Sequence, residues 1–196
     1  MALPWGLAGA AVGALVAVLA MQGWSRERGS AAPSDPAAAA GGSPSPALRA
    51  PDISQMSPEE RATRLFNRVE ELAEAGKQDS VQFFLPMALG AYAQLPALDL
   101  DARYHIGLLD LAGGDAAAAI AQADTIRRTT PTHLFAFVLQ AHAREAKGDA
   151  RGARRAYADF LRNERAERAR NRPEYQEHDA MLRAFHTDAL AKANGR

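Results

Sequence analysis

The chain has 196 residues, its 23 lysines and arginines are balanced by 23 aspartates and glutamates, and it has no cysteine. That length suits one folded domain with appendages, and zero net charge removes a global electrostatic case for nucleic acid. The missing thiols exclude disulfides, iron–sulfur clusters, cysteine-ligated zinc, thiol catalysis, covalent c-type haem attachment and the acylated cysteine of a bacterial lipoprotein. Only 7% of residues are aromatic while alanine is abundant, which favours close-packed helices over sheets.

Residues 1–24 form the first segment. From Leu3 to Trp24 no side chain is charged, and about 20 apolar residues span the ~30 Å hydrocarbon core of a bilayer. Trp5 and Trp24 fall about 28 Å apart along such a helix, where two interfacial aromatic belts lie. Val18 and Ala20 also fit the cleavage site of a signal peptide. The absence of a preceding Lys or Arg and the length of the run favour an uncleaved anchor. Gly6, Gly9 and Gly13 provide a small-residue face on which a second helix can pack in lipid.

Residues 25–56 read as a tether. Five prolines and the runs Ala37–Ala40 and Gly41-Gly42-Ser43 leave too little apolar surface to offset the entropy of ordering. Arg26 and Arg28 favour a cytoplasmic C-terminal side, whereas the Pro/Ala/Ser spacer favours the periplasm. The expectation adopted is a single-pass protein of the inner (cytoplasmic) membrane with a periplasmic helical domain, the cytoplasmic side staying open.

Residues 57–196 carry the folded part, read as all-α with about seven helices. Charge is uneven within it: residues 57–149 hold 9 basic and 13 acidic side chains, residues 150–196 hold 11 and 7. Ser57-Pro58-Glu59-Glu60 is a capping box with proline at the first helical position, and Leu65, Phe66, Val69, Leu72 and Ala73 form one apolar stripe before Gly76. Asp79 is expected to cap a second helix that contains Pro86 and ends by Pro96. A third covers about Leu100–Ala112. Asp115 caps a fourth, Thr132 opens a fifth, Asp149 caps a sixth that reaches about Arg170, and Pro173 starts a seventh with Tyr175, Met181, Leu182, Phe185 and Leu190 to bury. No stretch alternates with period two, so no strand is predicted.

Gly114-Asp115 recurs 34 residues later as Gly148-Asp149, and Ala102, Gly107 and Ala119 recur as Ala136, Ala141 and Ala153. This period and these small residues resemble the tetratricopeptide repeat. The resemblance covers about residues 100–165. Gly107 and Ala141 stand where paired helices cross, the Gly-Asp pairs at the turns, Ala119 and Ala153 on the second helices, with Pro131 closing the first unit and Tyr157 at the second unit's aromatic position. Arg103, Gln140 and Arg165 depart from the pattern. The resemblance implies an α-solenoid whose inner groove is lined by Tyr104, Leu108 and Leu111, then Phe135, Val138 and His142. It leaves two readings for that groove: it holds a partner's helix or extended segment, or the seventh helix fills it.

No motif for catalysis is present. The five histidines form neither HxxxH nor HExxH, and there is no GxSxG, P-loop or GxGxxG. His178, Asp179 and His186 could gather on the last helix, though solvated or hydrogen-bonded surface residues explain them as well, and Glu59-Glu60 and Glu70-Glu71 read as capping or solvated pairs. Hence no catalytic residue, no metal site and no cofactor is expected. Arg151, Arg154, Arg155, Arg162, Arg165 and Arg168 form a basic stretch, either a patch for an acidic partner or anionic lipid, or a solvated face with internal pairs such as Asp159 with Arg162.

The functional expectation is a non-catalytic membrane-anchored scaffold, an accessory subunit of a respiratory or photosynthetic membrane complex that contacts protein subunits and the membrane and no nucleic acid. The alternative is an envelope-biogenesis adaptor that holds client polypeptides, like the membrane-anchored repeat proteins of c-type cytochrome assembly.

Overall fold

Local capping chemistry divides the chain into helices. The computed structural model describes residues 56–193, and among them are eight α-helices and no strand. At Ser57 the capping box closes as its residues predict. Ser57 Oγ accepts from the Glu60 amide at 3.1 Å, and the Glu60 carboxylate accepts from the Ser57 amide at 2.9 Å. Helix α1 (Pro58–Glu74) follows, burying Leu65, Phe66, Val69 and Leu72.

Gly76 adopts φ +66°, the left-handed conformation that lets the Lys77 amide turn back to the Leu72 carbonyl at 2.9 Å. So tight a turn leaves no room for Asp79 as cap. Helix α2 (Gln78–Ala93) starts directly after Lys77 with no side-chain cap, and Asp79 sits in its first turn. Gln78 Nε2 donates to the Ala112 carbonyl at 3.2 Å, satisfying an end group of α3.

Helix α3 (Leu100–Ala112) has Asp99 as its cap, and α4 (Ala116–Thr129) has Asp115. Helix α5 (Leu134–Ala146) begins two residues after Thr132, with His133 at the cap position and no side-chain cap bond. Helix α6 (Ala150–Arg168) is capped by Asp149. Gly114 (φ +85°) and Gly148 (φ +71°) repeat the Gly76 turn.

The expected seventh helix is two: α7 (Pro173–Glu177) and α8 (Asp179–Lys192), with His178 between them at φ −100°, ψ 20°. Tyr175, Leu182 and Phe185 are buried and Met181 half-buried, while Leu190 faces solvent.

Each first helix packs on its second (α1 on α2, α3 on α4, α5 on α6), and the first helices pack on one another, α1 against α3 and α3 against α5. Helices α3 and α5 approach closely at Gly107, where a Cβ would lie 2.6 Å from a Leu139 methyl. Two apolar clusters result, one in α1–α3 and one in α3–α8, with Leu108 packed against both. Among the described residues no helix is long and apolar enough to cross a membrane. The expected anchor, with Gly6, Gly9 and Gly13, and nearly all of the tether lie outside the described residues.

Candidate functional site

The first helices present one face of the stack, and α7 and α8 lie across it. Of the groove residues, Tyr104, Leu111, Phe135, Val138 and His142 are buried and Leu108 is half-buried. The reason is specific contact. Tyr104 stacks on Phe135 with ring centroids 4.2 Å apart and donates its hydroxyl to Met181 Sδ at 3.4 Å. Phe135 meets the edges of Tyr175 and His178, and His142 meets Phe185. Side chains of the C-terminal helices thus cover Tyr104, Phe135 and His142.

The break at His178 and its flanks are fixed by polar contacts. Glu167, 1% exposed, accepts from Thr132 Oγ1 at 2.6 Å, from the Tyr175 hydroxyl at 3.1 Å and from Arg170 and Arg172. Burial opposes its charge, but these donors hold its carboxyl below the usual range. The same Tyr175 oxygen accepts from the Leu134 amide at 2.9 Å. Tyr175 therefore supplies the cap that α5 lacks from its own sequence. At the far end of α8, Lys192 reaches Glu145 at 2.9 Å and the Tyr157 hydroxyl at 3.1 Å. Burial opposes ionisation of Glu145, yet the Lys192 ammonium paired with it, together with the nearby Tyr157 hydroxyl and His142 ring, brings its carboxyl down to about 2.

A cleft of about 500 Å³ remains between α1 and α8. Its apolar lining is Phe66, Tyr104, Leu108, Met181 and Phe185; its carboxylates are Glu70, Glu71, Glu74, Glu177 and Asp188. Glu70 is half-buried, and burial followed by repulsion from Glu74 raises its carboxyl to about 7. His142 also lines the cleft. It is 4% exposed, and its Nδ1, 3.9 Å from Glu145, has no hydrogen-bond partner. Chemically, this cleft combines an apolar floor with an acidic rim.

His178 lines the same cleft and leads to a polar cluster with Asp101 and His105. Asp101 and His105 are four residues apart on α3 and share a face. His178 Nε2 lies 2.9 Å from Asp101 Oδ1 and 3.2 Å from His105 Nε2. Phe66 stacks on the His105 ring at 4.1 Å, and Tyr92 Oη lies 2.9 Å from its Nδ1. Burial lowers His105 to about 4, so its ring is neutral at pH 7. Asp101 is held below the usual carboxylate range: burial acts against this, and the His178 bond and His105 outweigh it.

On sequence alone no metal site is expected, and His178 groups with Asp179 and His186. The fold separates them. His186 Nδ1 pairs with Glu164 at 2.5 Å, and Asp179 pairs with Arg168 and Arg183. The i, i+4 spacing of Asp101 and His105 was the available signal; their third partner arrives only through the tertiary fold.

In the basic stretch, Arg151, Arg154, Arg155 and Arg165 are exposed. Arg162 is exposed and paired with Asp159. Arg168 is half-buried and bridges Glu164 at 2.9 Å and Asp179 at 2.8 Å, joining α6 to α8, so it belongs to the scaffold rather than to an open patch.

No protein-family model, curated protein or solved structure matches the chain.

Proposed function

We propose that the chain is a non-catalytic, membrane-anchored interaction protein, with residues 1–24 as anchor, residues 25–56 as tether and the helical domain as the part that grips a partner. The stacked helix pairs, with Gly114 and Gly148 at equivalent turns, support a tetratricopeptide-like scaffold. The observation that carries the reading is the cleft between α1 and α8, with its apolar floor, acidic rim and unbonded buried His142 Nδ1. Its occupant is a short segment of a partner protein that combines an apolar side chain with Lys or Arg. Anchoring in the same membrane concentrates the domain near that partner, so a small contact suffices. The partner is a subunit of a respiratory or photosynthetic membrane complex, and the domain lies on the periplasmic side.

Native membranes solubilised in mild detergent and separated by size test this. The chain migrates within a large complex at fixed stoichiometry, and the charge-reversing pair Glu71→Lys and Glu74→Lys, both at exposed positions, releases it while leaving the helical circular-dichroism spectrum unchanged. Migration of the wild-type chain alone, or of the variant still within the complex, overturns the reading.

A further inference from the structure

The cluster at the head of the cleft has a shortage of protons. His105 Nδ1 faces two oxygens, Tyr92 Oη at 2.9 Å and Asp101 Oδ2 at 3.6 Å. Tyr92 Oη can accept from Nδ1 or donate to it; a proton on Nδ1 also serves Asp101, and that tautomer leaves His105 Nε2 as a lone pair. This lone pair points to His178 Nε2 at 3.2 Å, which in turn meets the Asp101 Oδ1 lone pairs at 2.9 Å. The single N–H that His178 Nε2 can carry must then serve two acceptors at once.

Three ligand atoms converging on one proton are arranged as a cation would have them. Ligands of a tetrahedral Zn²⁺ at about 2.0–2.1 Å are separated from one another by about 3.3 Å. Two of the three separations, 3.2 and 2.9 Å, fall within a few tenths of that edge, and all three ligand atoms lie within 4.8 Å of one another. The surroundings match as well. Phe66 stacking and the Tyr92 contact fix the His105 ring plane and tautomer, as a metal-bound imidazole requires. Asp101 and His178 are half-buried, with side-chain exposures of 25% and 20%, so an ion can enter and a water can complete the shell.

We propose that Asp101, His105 and His178 form a binding site for one divalent transition-metal ion of the Zn²⁺ class, holding the α7–α8 junction onto α3. Two imidazoles and a carboxylate suit Zn²⁺ and not Mg²⁺ or Ca²⁺, which take oxygen ligands. The ion replaces the shared proton and satisfies all three atoms. It also joins chain segments 73 and 77 residues apart. Binding therefore stabilises the fold by linkage and closes one end of the cleft.

The test uses the full chain in mild detergent, stripped with a chelator and titrated with Zn²⁺ by calorimetry and by thermal unfolding. Wild type binds one ion per chain, raises its melting temperature with Zn²⁺, and does neither with Mg²⁺. His178→Ala and Asp101→Asn lose the shift and the saturable binding while keeping wild-type helical spectra. Tyr92→Phe, which removes only the contact to Nδ1, weakens binding by about 10–100-fold. His186→Ala retains wild-type affinity. Absence of saturable Zn²⁺ binding to wild type, or binding that survives His178→Ala and is lost in His186→Ala, overturns the assignment.

Discussion

Glu70 shows how position, not residue type, decides chemistry. In the sequence it is one of a pair with Glu71 on a helix and reads as a solvated face. In the fold it is half-buried in the wall of the cleft, and burial followed by repulsion from Glu74 raises its carboxyl to about 7. A folded-state value above the ordinary 4.5 means that the folded protein binds the proton more tightly than the unfolded chain. The associated stability is fully present below about pH 4.5 and is lost as pH rises through about 7. Glu70→Gln removes the ionisation. At pH 8 the variant is more stable than wild type by about 1–2 kcal/mol, after allowance for solvent screening at a half-buried group. At pH 4 the difference vanishes. Urea midpoints of both proteins at the two pH values read the effect directly, because other titrating groups cancel in the comparison. An equal difference at pH 4 and pH 8 would contradict the burial argument.

At the scale of elements, most of the helices were legible because their ends are set by neighbours in sequence. Ser57, Asp115 and Asp149 bond amides two or three residues ahead, and Gly114 and Gly148 take the positive φ that ends a helix. Three features were not legible, each for a tertiary reason. Asp79 is no cap because the Gly76 turn is closed by backbone bonds alone. Thr132 does not cap α5 because its hydroxyl goes to buried Glu167, and Tyr175, 41 residues away, accepts the Leu134 amide instead. The seventh helix breaks at His178, whose ring is held by Asp101 and His105. Tyr175→Phe tests this wiring. It leaves the Leu134 amide and one Glu167 oxygen without their buried partner, at a cost of about 1–3 kcal/mol in urea unfolding. An unchanged midpoint would mean that water replaces the hydroxyl and that α5 needs no remote cap.

At the scale of the molecule, the candidate site is a product of assembly. The repeat resemblance puts the groove residues Tyr104, Phe135 and His142 on one face, but their contacts with α7 and α8 depend on those helices folding back. What that return leaves open is narrower than the whole groove: an acidic, apolar-floored cleft between the first and last helices, next to a His–His–Asp cluster. Architecture and cleft chemistry together support a gripping role. The most direct measurement is a photo-crosslinking amino acid placed in the full-length protein in its native membrane at Glu74, on the cleft rim, and separately at Arg128, an exposed position on α4 away from the cleft. The account predicts that Glu74 yields one discrete crosslinked partner, mapped to a segment with apolar and basic side chains, and that Arg128 does not. A crosslink from Glu74 to this chain's own residues 1–55, or the same partner from both positions, would contradict it.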